Sequence, residues 1–246
     1  MEKLTVYCLH GFLGRPSDWD PLDPCPYDLR KIDLFEVLSP ASGASMTDWA
    51  ERFNSEVRAE KRATRVLLGY SMGGRLALHS LVADPALWDA AVIISANPGL
   101  PEMEKKARLA QDEAWARRFE SEPWDQLIHD WNALPVFNGS APVAPRSEEC
   151  FQRTDLAAAL RVWSPARTPD LTDRINPLQK PLAWIAGAND RRYCEIAEKM
   201  AKSTASRSFE AHILASAGHR APWDQPAAWA EYFCGFLDRS LLKVGH

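Results

Sequence analysis

The sequence has no long apolar run, no strong excess of one charge and no segment typical of an exported protein. Its 246 residues carry a formal net charge of −4, which argues against nucleic acid or an anionic membrane surface as the main partner. No apolar run approaches the roughly 20 residues that a transmembrane helix needs. The first residues, Met-Glu-Lys, lead directly into an apolar segment without a signal peptide. We therefore expect a cytoplasmic protein that is not inserted in a membrane.

Clustered cysteines are also missing. The five cysteines are an odd number, are scattered along the chain and include no C-x-x-C pair, which predicts a reduced protein. No spacing of His, Cys and Asp residues indicates a metal site. The glycines of residues 11–14 lack the G-K-[ST] ending of a phosphate-binding loop. We expect neither a metal nor another cofactor.

Apolar residues, by contrast, make up 46% of the chain, enough for the core of one large α/β domain. Short apolar runs alternate with amphipathic segments in the first and last thirds of the chain. This alternation predicts a mostly parallel sheet with helices on both faces. The predicted strands cover residues 4–9, 31–38, 65–68, 90–95, 181–186 and 209–214.

The alternation breaks in the middle third, where the pattern predicts helices without intervening strands. These helices cover residues 102–119, 124–131 and 148–162. A Pro/Gly-rich loop at 135–145 separates the last two. We expect residues 1–97 and 177–246 to form the core domain, and residues 98–176 to form a helical cap inserted into it.

The most informative motif is G-x-S-x-G at residues 69–73, between an apolar run and a helix-like one. A nucleophile elbow needs this context, because a sharp strand-to-helix turn exposes the serine hydroxyl. Gly69 and Gly73 suit such a turn, since a Cβ at either position would collide with it. The motif predicts that Ser71 is catalytic. The alternative, an ordinary helix N-cap, leaves both glycines unexplained.

A serine hydroxyl needs a neighbouring imidazole to take its proton, and the imidazole needs a carboxylate that fixes its tautomer. Asp190 follows the fifth predicted strand and His219 follows the sixth, in the chain order Ser…Asp…His. We predict that Ser71, Asp190 and His219 form a catalytic triad. Asn189 and Asp224 compete with Asp190 for the acidic position.

Negative charge that develops on an oxygen during the reaction needs N–H donors. Met72 follows the serine at a predicted helix N-terminus, and Phe12 lies in the loop after the first strand. We predict that these two backbone N–H groups form an oxyanion hole. His10 is expected to brace that loop rather than to carry a proton.

Four short segments resemble known proteins: residues 9–14 (LHGFLG), 69–75 (GYSMGGR), 97–100 (NPGL) and 217–219 (AGH). Through them the chain resembles the α/β-hydrolase superfamily along its whole length. Within it, the chain looks like the MenH family, the 2-succinyl-6-hydroxy-2,4-cyclohexadiene-1-carboxylate synthases of menaquinone biosynthesis. Residues 105–119 and 130–137 of the predicted cap are also similar. Cap similarity is more discriminating than the triad, which many unrelated activities share.

The resemblance implies a lyase that eliminates pyruvate from a small substrate with several carboxylates. His219 would deprotonate Ser71, and the serine alkoxide would remove a ring proton without forming an acyl-enzyme. Arginine suits such a substrate because its fork binds carboxylates bidentately. The matching positions with implied substrate-binding roles are Tyr70, Arg75, Arg108 and Trp131. A further cap arginine of the family has two candidates here, Arg146 and Arg153.

Two other functions compete with this one. A serine carboxylesterase or thioesterase would use the same triad through an acyl-enzyme, and an apolar pocket without paired arginines would favour it. A non-catalytic member of the fold would bind a small ligand or a protein, and the loss of a triad residue would favour it. The simplest alternative role for Arg75 and Arg108 is that of solvated helix charges.

Overall fold

The computed structural model describes residues 4–22, 27–61 and 63–241. Within these residues a six-stranded sheet has the order β2-β1-β3-β4-β5-β6. Every neighbouring pair of strands is parallel, so the carboxyl ends of all the strands lie at one edge. The strands are β1 (Leu4–Leu9), β2 (Asp28–Ile32), β3 (Thr64–Tyr70), β4 (Ala90–Ile94), β5 (Leu182–Gly187) and β6 (Phe209–Leu214).

Helices lie on both faces of this sheet and beyond its carboxyl edge. They are α1 (Leu34–Val37), α2 (Met46–Ala59), α3 (Met72–Ala83), α4 (Glu102–Ser121), α5 (Trp124–Asn132), α6 (Arg153–Val162), α7 (Thr172–Ile175), α8 (Arg191–Ser203), α9 (Ala221–Asp224) and α10 (Pro226–Leu241). Successive side chains of β3 enter different apolar clusters: Leu67 packs in the cluster that contains Phe53 of α2. Val66 packs in the cluster that contains Phe233 of α10. The sheet is therefore buried on both faces, as all-parallel sheets are, and the predicted α/β architecture is confirmed.

The second predicted strand is misplaced. The sequence predicts a strand over residues 31–38, but β2 ends at Ile32 and α1 begins at Leu34. Asp33 lies between them, and its carboxylate accepts a hydrogen bond from the N–H of Phe35 at 2.9 Å, which caps the helix. Leu34 is fully buried in the core. The apolar run therefore belongs partly to a helical turn, which a short run cannot reveal.

Helices without strands connect β4 to β5. α4, α5 and α6 pack around their own apolar cluster, which includes Trp115, Phe119 and Leu156. Phe12, from the loop after β1, lies 5.2 Å from Phe119 between ring centroids, so these helices cover the carboxyl edge of the sheet. The helix predicted over 148–162 begins only at Arg153, because Glu148–Cys150 form a 3-10 turn. The division at residues 98 and 176 stays a prediction.

The cysteines differ from the expected reduced state. Cys150 and Cys194 are free thiols, but Cys234 is disulfide-bonded; Cys25 lies outside the described residues. The prediction of a reduced protein is therefore wrong at Cys234, because scattered cysteines give no spacing pattern that would indicate a disulfide. Among the described residues, no helix combines the length and the hydropathy that crossing a bilayer requires.

Candidate active site

The side chains predicted to act together follow four different strands of the sheet. Phe12 comes after β1, Ser71 after β3, Asp190 after β5 and His219 after β6. Because parallel strands share one carboxyl edge, the fold brings these residues to the same place. Ligands bind at this edge in open α/β sheets.

Ser71 sits on a strained turn between β3 and α3, with φ of 52° and ψ of −110°. A Cβ on Gly69 would lie 2.5 Å from the carbonyl oxygen of Gly73. A Cβ on Gly73 would lie 2.3 Å from the carbonyl oxygen of His10. Both distances are far below van der Waals contact, so the two glycines allow the turn to pass close to the neighbouring backbone. A non-glycine residue with positive φ at such a turn is the geometry of a nucleophile elbow.

His219 contacts both of its predicted partners. Its Nδ1–H donates to Asp190 Oδ2 at 2.6 Å, and its Nε2 lies 3.2 Å from Ser71 Oγ. His219 and Asp190 are almost fully buried. With the proton on Nδ1, the lone pair of Nε2 faces the serine hydroxyl and can accept its proton. The arrangement can therefore turn Ser71 into a base or a nucleophile.

The two competing residues do not take the acidic position. Asp224 Oδ2 accepts hydrogen bonds from Ser140 Oγ at 2.5 Å and from the N–H of Gly218 at 2.8 Å. Asn189 is exposed. Asp224 therefore holds the turn before His219, while Asp190 is the carboxylate in contact with the imidazole.

His10 braces the loop after β1. Its Nδ1–H donates to the carbonyl of Gly11 at 2.8 Å, and its Nε2 accepts from the N–H of Leu34 at 3.4 Å. Burial lowers the pKa of His10 below its ordinary value, so the ring is neutral near pH 7. Both ring nitrogens are occupied, which leaves His10 no proton to exchange with a ligand.

The oxyanion hole stays a prediction. Met72 is the first residue of α3, and the N–H groups of a helix's first turn have no acceptor within the helix. Phe12 and Met72 line the same cavity as Ser71. Their placement is compatible with a shared role in holding negative charge.

A cavity of about 320 Å³ opens beside Ser71 and His219. We call it the large cavity. Its floor comes from the edge of the sheet, with Ser71, Met72 and Arg75, and its roof comes from α4 and α5, with Arg108 and Trp131. A volume of this size accommodates a substituted six-membered ring.

Two of the predicted substrate-binding arginines face this cavity together. Arg75 donates from Nη1 to the carbonyl of Trp163 at 2.6 Å, and burial and the nearby Arg108 lower the pKa of Arg75 to about 10. Arg108 donates from Nε to both carboxylate oxygens of Asp112 at 2.8 Å. Arg75 is thus a half-buried cation with a fixed partner rather than a fully solvated one. A bound anion between the two guanidinium groups would relieve their mutual repulsion.

Tyr70 lines a different, smaller cavity of about 70 Å³, which we call the small cavity. Ser71, Phe12 and Trp131 line both cavities. The four predicted substrate-binding side chains are therefore divided: Arg75 and Arg108 line the large cavity, Tyr70 lines the small one, and Trp131 lines both. Ser71 stands where the two meet.

The structure also separates the two candidate cap arginines. Arg146 lines the small cavity, and both of its terminal nitrogens donate to the carboxylate of Asp18, at 2.8 and 2.7 Å. Arg153 donates to the carbonyls of Phe119 and Glu122 and lines neither cavity. Arg153 therefore holds α4 and α6 together, and Arg146 is the one near the site.

Three further residues at the site were not predicted as site residues. Tyr193 lines the large cavity, and its ring centroid lies 4.8 Å from that of His219. Phe137 lines both cavities, 5.6 Å from the His219 ring. Arg220 lines the small cavity. Because Arg220 directly follows His219, the sequence could have indicated that Arg220 lies at the site. No such signal exists for Tyr193, which reaches the site only through the turn into α8.

Comparison with known proteins agrees with this architecture. The sequence model of the alpha/beta hydrolase family matches residues 6–232. The chain belongs to the alpha/beta hydrolase family. Within this family, a 2-succinyl-6-hydroxy-2,4-cyclohexadiene-1-carboxylate synthase of Salmonella paratyphi C is 31% identical, over 91% of this chain and 89% of the relative. A protein of the same name from Serratia proteamaculans is also 31% identical, over 96% and 94%.

Solved structures of other alpha/beta hydrolases have the same fold. MenH from S. aureus superposes with a TM-score of 0.83 at 22% identity, covering 96% of this chain and 94% of that one. A malate-bound esterase from Thermogutta terrifontis has a TM-score of 0.75 at 19% identity, covering 97% and 90%. The predicted enzyme fold and the resemblance to MenH proteins are thereby confirmed. The activity of this alpha/beta hydrolase does not follow from fold alone.

Proposed function

We propose that this protein is a MenH-like lyase, which eliminates pyruvate from a cyclohexene precursor with several carboxylates in menaquinone biosynthesis. One observation carries the proposal: the contact between Ser71 and His219 opens into the same cavity as Arg75 and Arg108. A base together with the cations Arg75 and Arg108 at one ring-sized space suits proton removal from a polyanion. The names of the relatives at 31% identity support the same activity.

In this mechanism Ser71 is the base. His219 Nε2 takes the hydroxyl proton, and Asp190 stabilises the resulting imidazolium. The Ser71 alkoxide then removes a proton from a ring carbon. The electron pair of that C–H bond forms the new ring double bond, and the bond to the leaving pyruvate unit breaks. The leaving unit keeps the electron pair of the broken bond and becomes pyruvate after it takes up a proton.

The remaining residues stabilise charge. Arg75 and Arg108 bind substrate carboxylates, and the N–H groups of Phe12 and Met72 hold the negative charge that develops as the proton leaves. In a cavity that excludes water, such fixed donors are worth more than they would be in water. Trp131 packs on the ring from the roof side. No metal or other cofactor takes part in these steps.

The test supplies the pyruvate-bearing precursor and follows pyruvate release. We expect turnover by the wild-type protein and a loss of about 10²–10⁴-fold in Ser71→Ala, the usual contribution of a general base. Arg75→Ala should lower the turnover of the precursor. Wild-type release of pyruvate no faster than in Ser71→Ala would refute the lyase.

A serine carboxylesterase or thioesterase is the second candidate. It is favoured by the aromatic and aliphatic side chains of the roof, including Trp115, Leu134 and Val136. An esterase would form an acyl-enzyme on Ser71, so p-nitrophenyl acetate would give burst kinetics and turnover of about 1–10³ s⁻¹. The lyase predicts neither.

A further inference from the structure

The small cavity has a cationic wall that the proposed reaction has not used. Its volume of about 70 Å³ exceeds the roughly 10–15 Å³ that a single water needs on this measure. It is therefore large enough for a small organic group and too small for a substituted ring. Arg146, Arg220 and Asp18 supply its charged side chains.

Arg146 and Asp18 neutralise each other, because the guanidinium of Arg146 donates two hydrogen bonds to the Asp18 carboxylate. Arg220 has no such partner. Its terminal nitrogens donate to the carbonyl of Ser140 at 3.2 Å and to Asn132 Oδ1 at 2.5 Å. In the described part of the chain, no carboxylate lies within ion-pair distance of its guanidinium.

Arg220 is nevertheless 6% exposed, and its guanidinium lies 4.0 Å from the centroid of the Phe137 ring. Asp224 is the acid nearest to Arg220 in sequence, but its carboxylate accepts hydrogen bonds from Ser140 and Gly218 instead. Burial lowers the pKa of Arg220 below its ordinary value, and the nearby Tyr70 and Asp224 offset this only in part. A buried cation without an ion-pair partner is costly unless an anion joins it. The donors that Ser140, Asn132 and Tyr70 leave unused are available to such an anion, because a guanidinium carries five N–H bonds.

We propose that the small cavity is a carboxylate subsite in which Arg220 binds the pyruvate unit as it leaves. This inference rests on the proposed function. The ring would occupy the large cavity, between Arg75 and Arg108, and the bond that breaks would lie beside Ser71, which lines both cavities. Ring and leaving group are thereby held by separate cations.

The first test measures pyruvate binding to the full-length protein by isothermal titration calorimetry. We expect Arg220→Gln to weaken binding by about tenfold or more, because a hydrogen bond to a charged group is lost. Arg220→Lys should retain part of the affinity, and neutral methyl pyruvate should not compete. The matched control is Arg153→Gln, since Arg153 also donates to backbone carbonyls and lies over an aromatic ring, Trp124, but should leave binding unchanged.

The second test uses the wild-type protein, so it does not depend on whether a variant folds. A crystal structure with pyruvate should place its carboxylate on the Arg220 guanidinium. Three results would overturn the subsite. The crystal could show the carboxylate between Arg75 and Arg108, or calorimetry could show binding that Arg75→Ala weakens and Arg220→Gln does not. The third is that pyruvate does not bind at all. Neither test depends on turnover. If the precursor releases no pyruvate while pyruvate binds through Arg220, the lyase is wrong and the carboxylate subsite stands.

Discussion

The large cavity has a floor and a roof that are stabilised in different ways. On the floor, Ser71, His219 and Asp190 follow strand ends, and each is fixed by buried hydrogen bonds. On the roof, helix α4 presents Arg108, whose side chain is 37% exposed and paired with Asp112 within the same helix. In the proposed function the floor would carry the reacting groups and one substrate-binding cation, Arg75, while the roof would supply the second cation and apolar surface.

The largest expected effect is on the floor, at Asp190. In Asp190→Asn the side-chain amide can donate a hydrogen bond to His219 Nδ1, which favours the tautomer with its proton on Nε2. In that tautomer Nε2 cannot accept the proton of Ser71. We expect a loss of about 10⁴-fold in turnover, the size of the same substitution in serine proteases. The measurement is pyruvate release at saturating precursor, with circular dichroism as the check on folding.

Asp224→Asn is the matched control for this experiment. Asp224 lies near His219 in sequence but bonds to Ser140 and Gly218 instead. Its substitution should cost far less turnover. Equal losses in the two variants would mean that the contact between His219 and Asp190 is not what activates the serine.

Much of the floor is predictable from sequence, because it depends on local patterns. The strand ends, the two glycines around Ser71 and the chain order of the triad need only short-range information. The roof is less predictable. The ion pair of Arg146 with Asp18 joins residues 128 positions apart, and no local pattern connects them. The same holds for the separation of Tyr70 from Arg75, which depends on the strained turn at Ser71 rather than on their spacing in sequence.

The ion pair between Asp18 and Arg146 gives the next largest effect, on stability. It links the segment after β1 to the loop between α5 and α6, and both side chains are nearly buried. Asp18→Asn should destabilise the fold by about 3–5 kcal/mol, since it leaves an unpaired buried charge. Urea unfolding measures this, and Asp20→Asn is the control. Asp20 is an exposed partner of Lys31, so its removal should cost about 0–1 kcal/mol. If Asp18→Asn and Asp20→Asn lowered the free energy of unfolding equally, the ion pair of Asp18 with Arg146 would not be what links these two segments.

Substitutions of Arg75 on the floor and Arg108 on the roof compare directly how strongly each side of the large cavity binds the substrate. Arg75→Ala should lower kcat/KM by about 100-fold, because hydrogen bonds to charged groups contribute about 1.5–3 kcal/mol. Arg108→Ala should lower it by about tenfold, since Asp112 already neutralises part of its charge and solvent screens the rest. Arg75→Lys, which keeps the charge but not the fork, should fall between wild type and Arg75→Ala. If Arg108→Ala were the more damaging variant, the roof would position the substrate more strongly than the floor does.

The smallest expected effect concerns the exposed bridge between roof and floor. Arg192 of α8 donates to Glu104 of α4 at 2.6 Å, and both side chains are about half exposed. Such pairs contribute about 0–1 kcal/mol, so Glu104→Gln should change kcat/KM by less than about fivefold in physiological salt. Packing provides a stronger link, because Phe12 lies 4.7 Å from Trp131 between ring centroids. The check is kcat/KM of wild type and variant from low to high salt. A variant that loses activity at low salt, with the difference vanishing at high salt, would show that charge rather than aromatic packing keeps the roof closed.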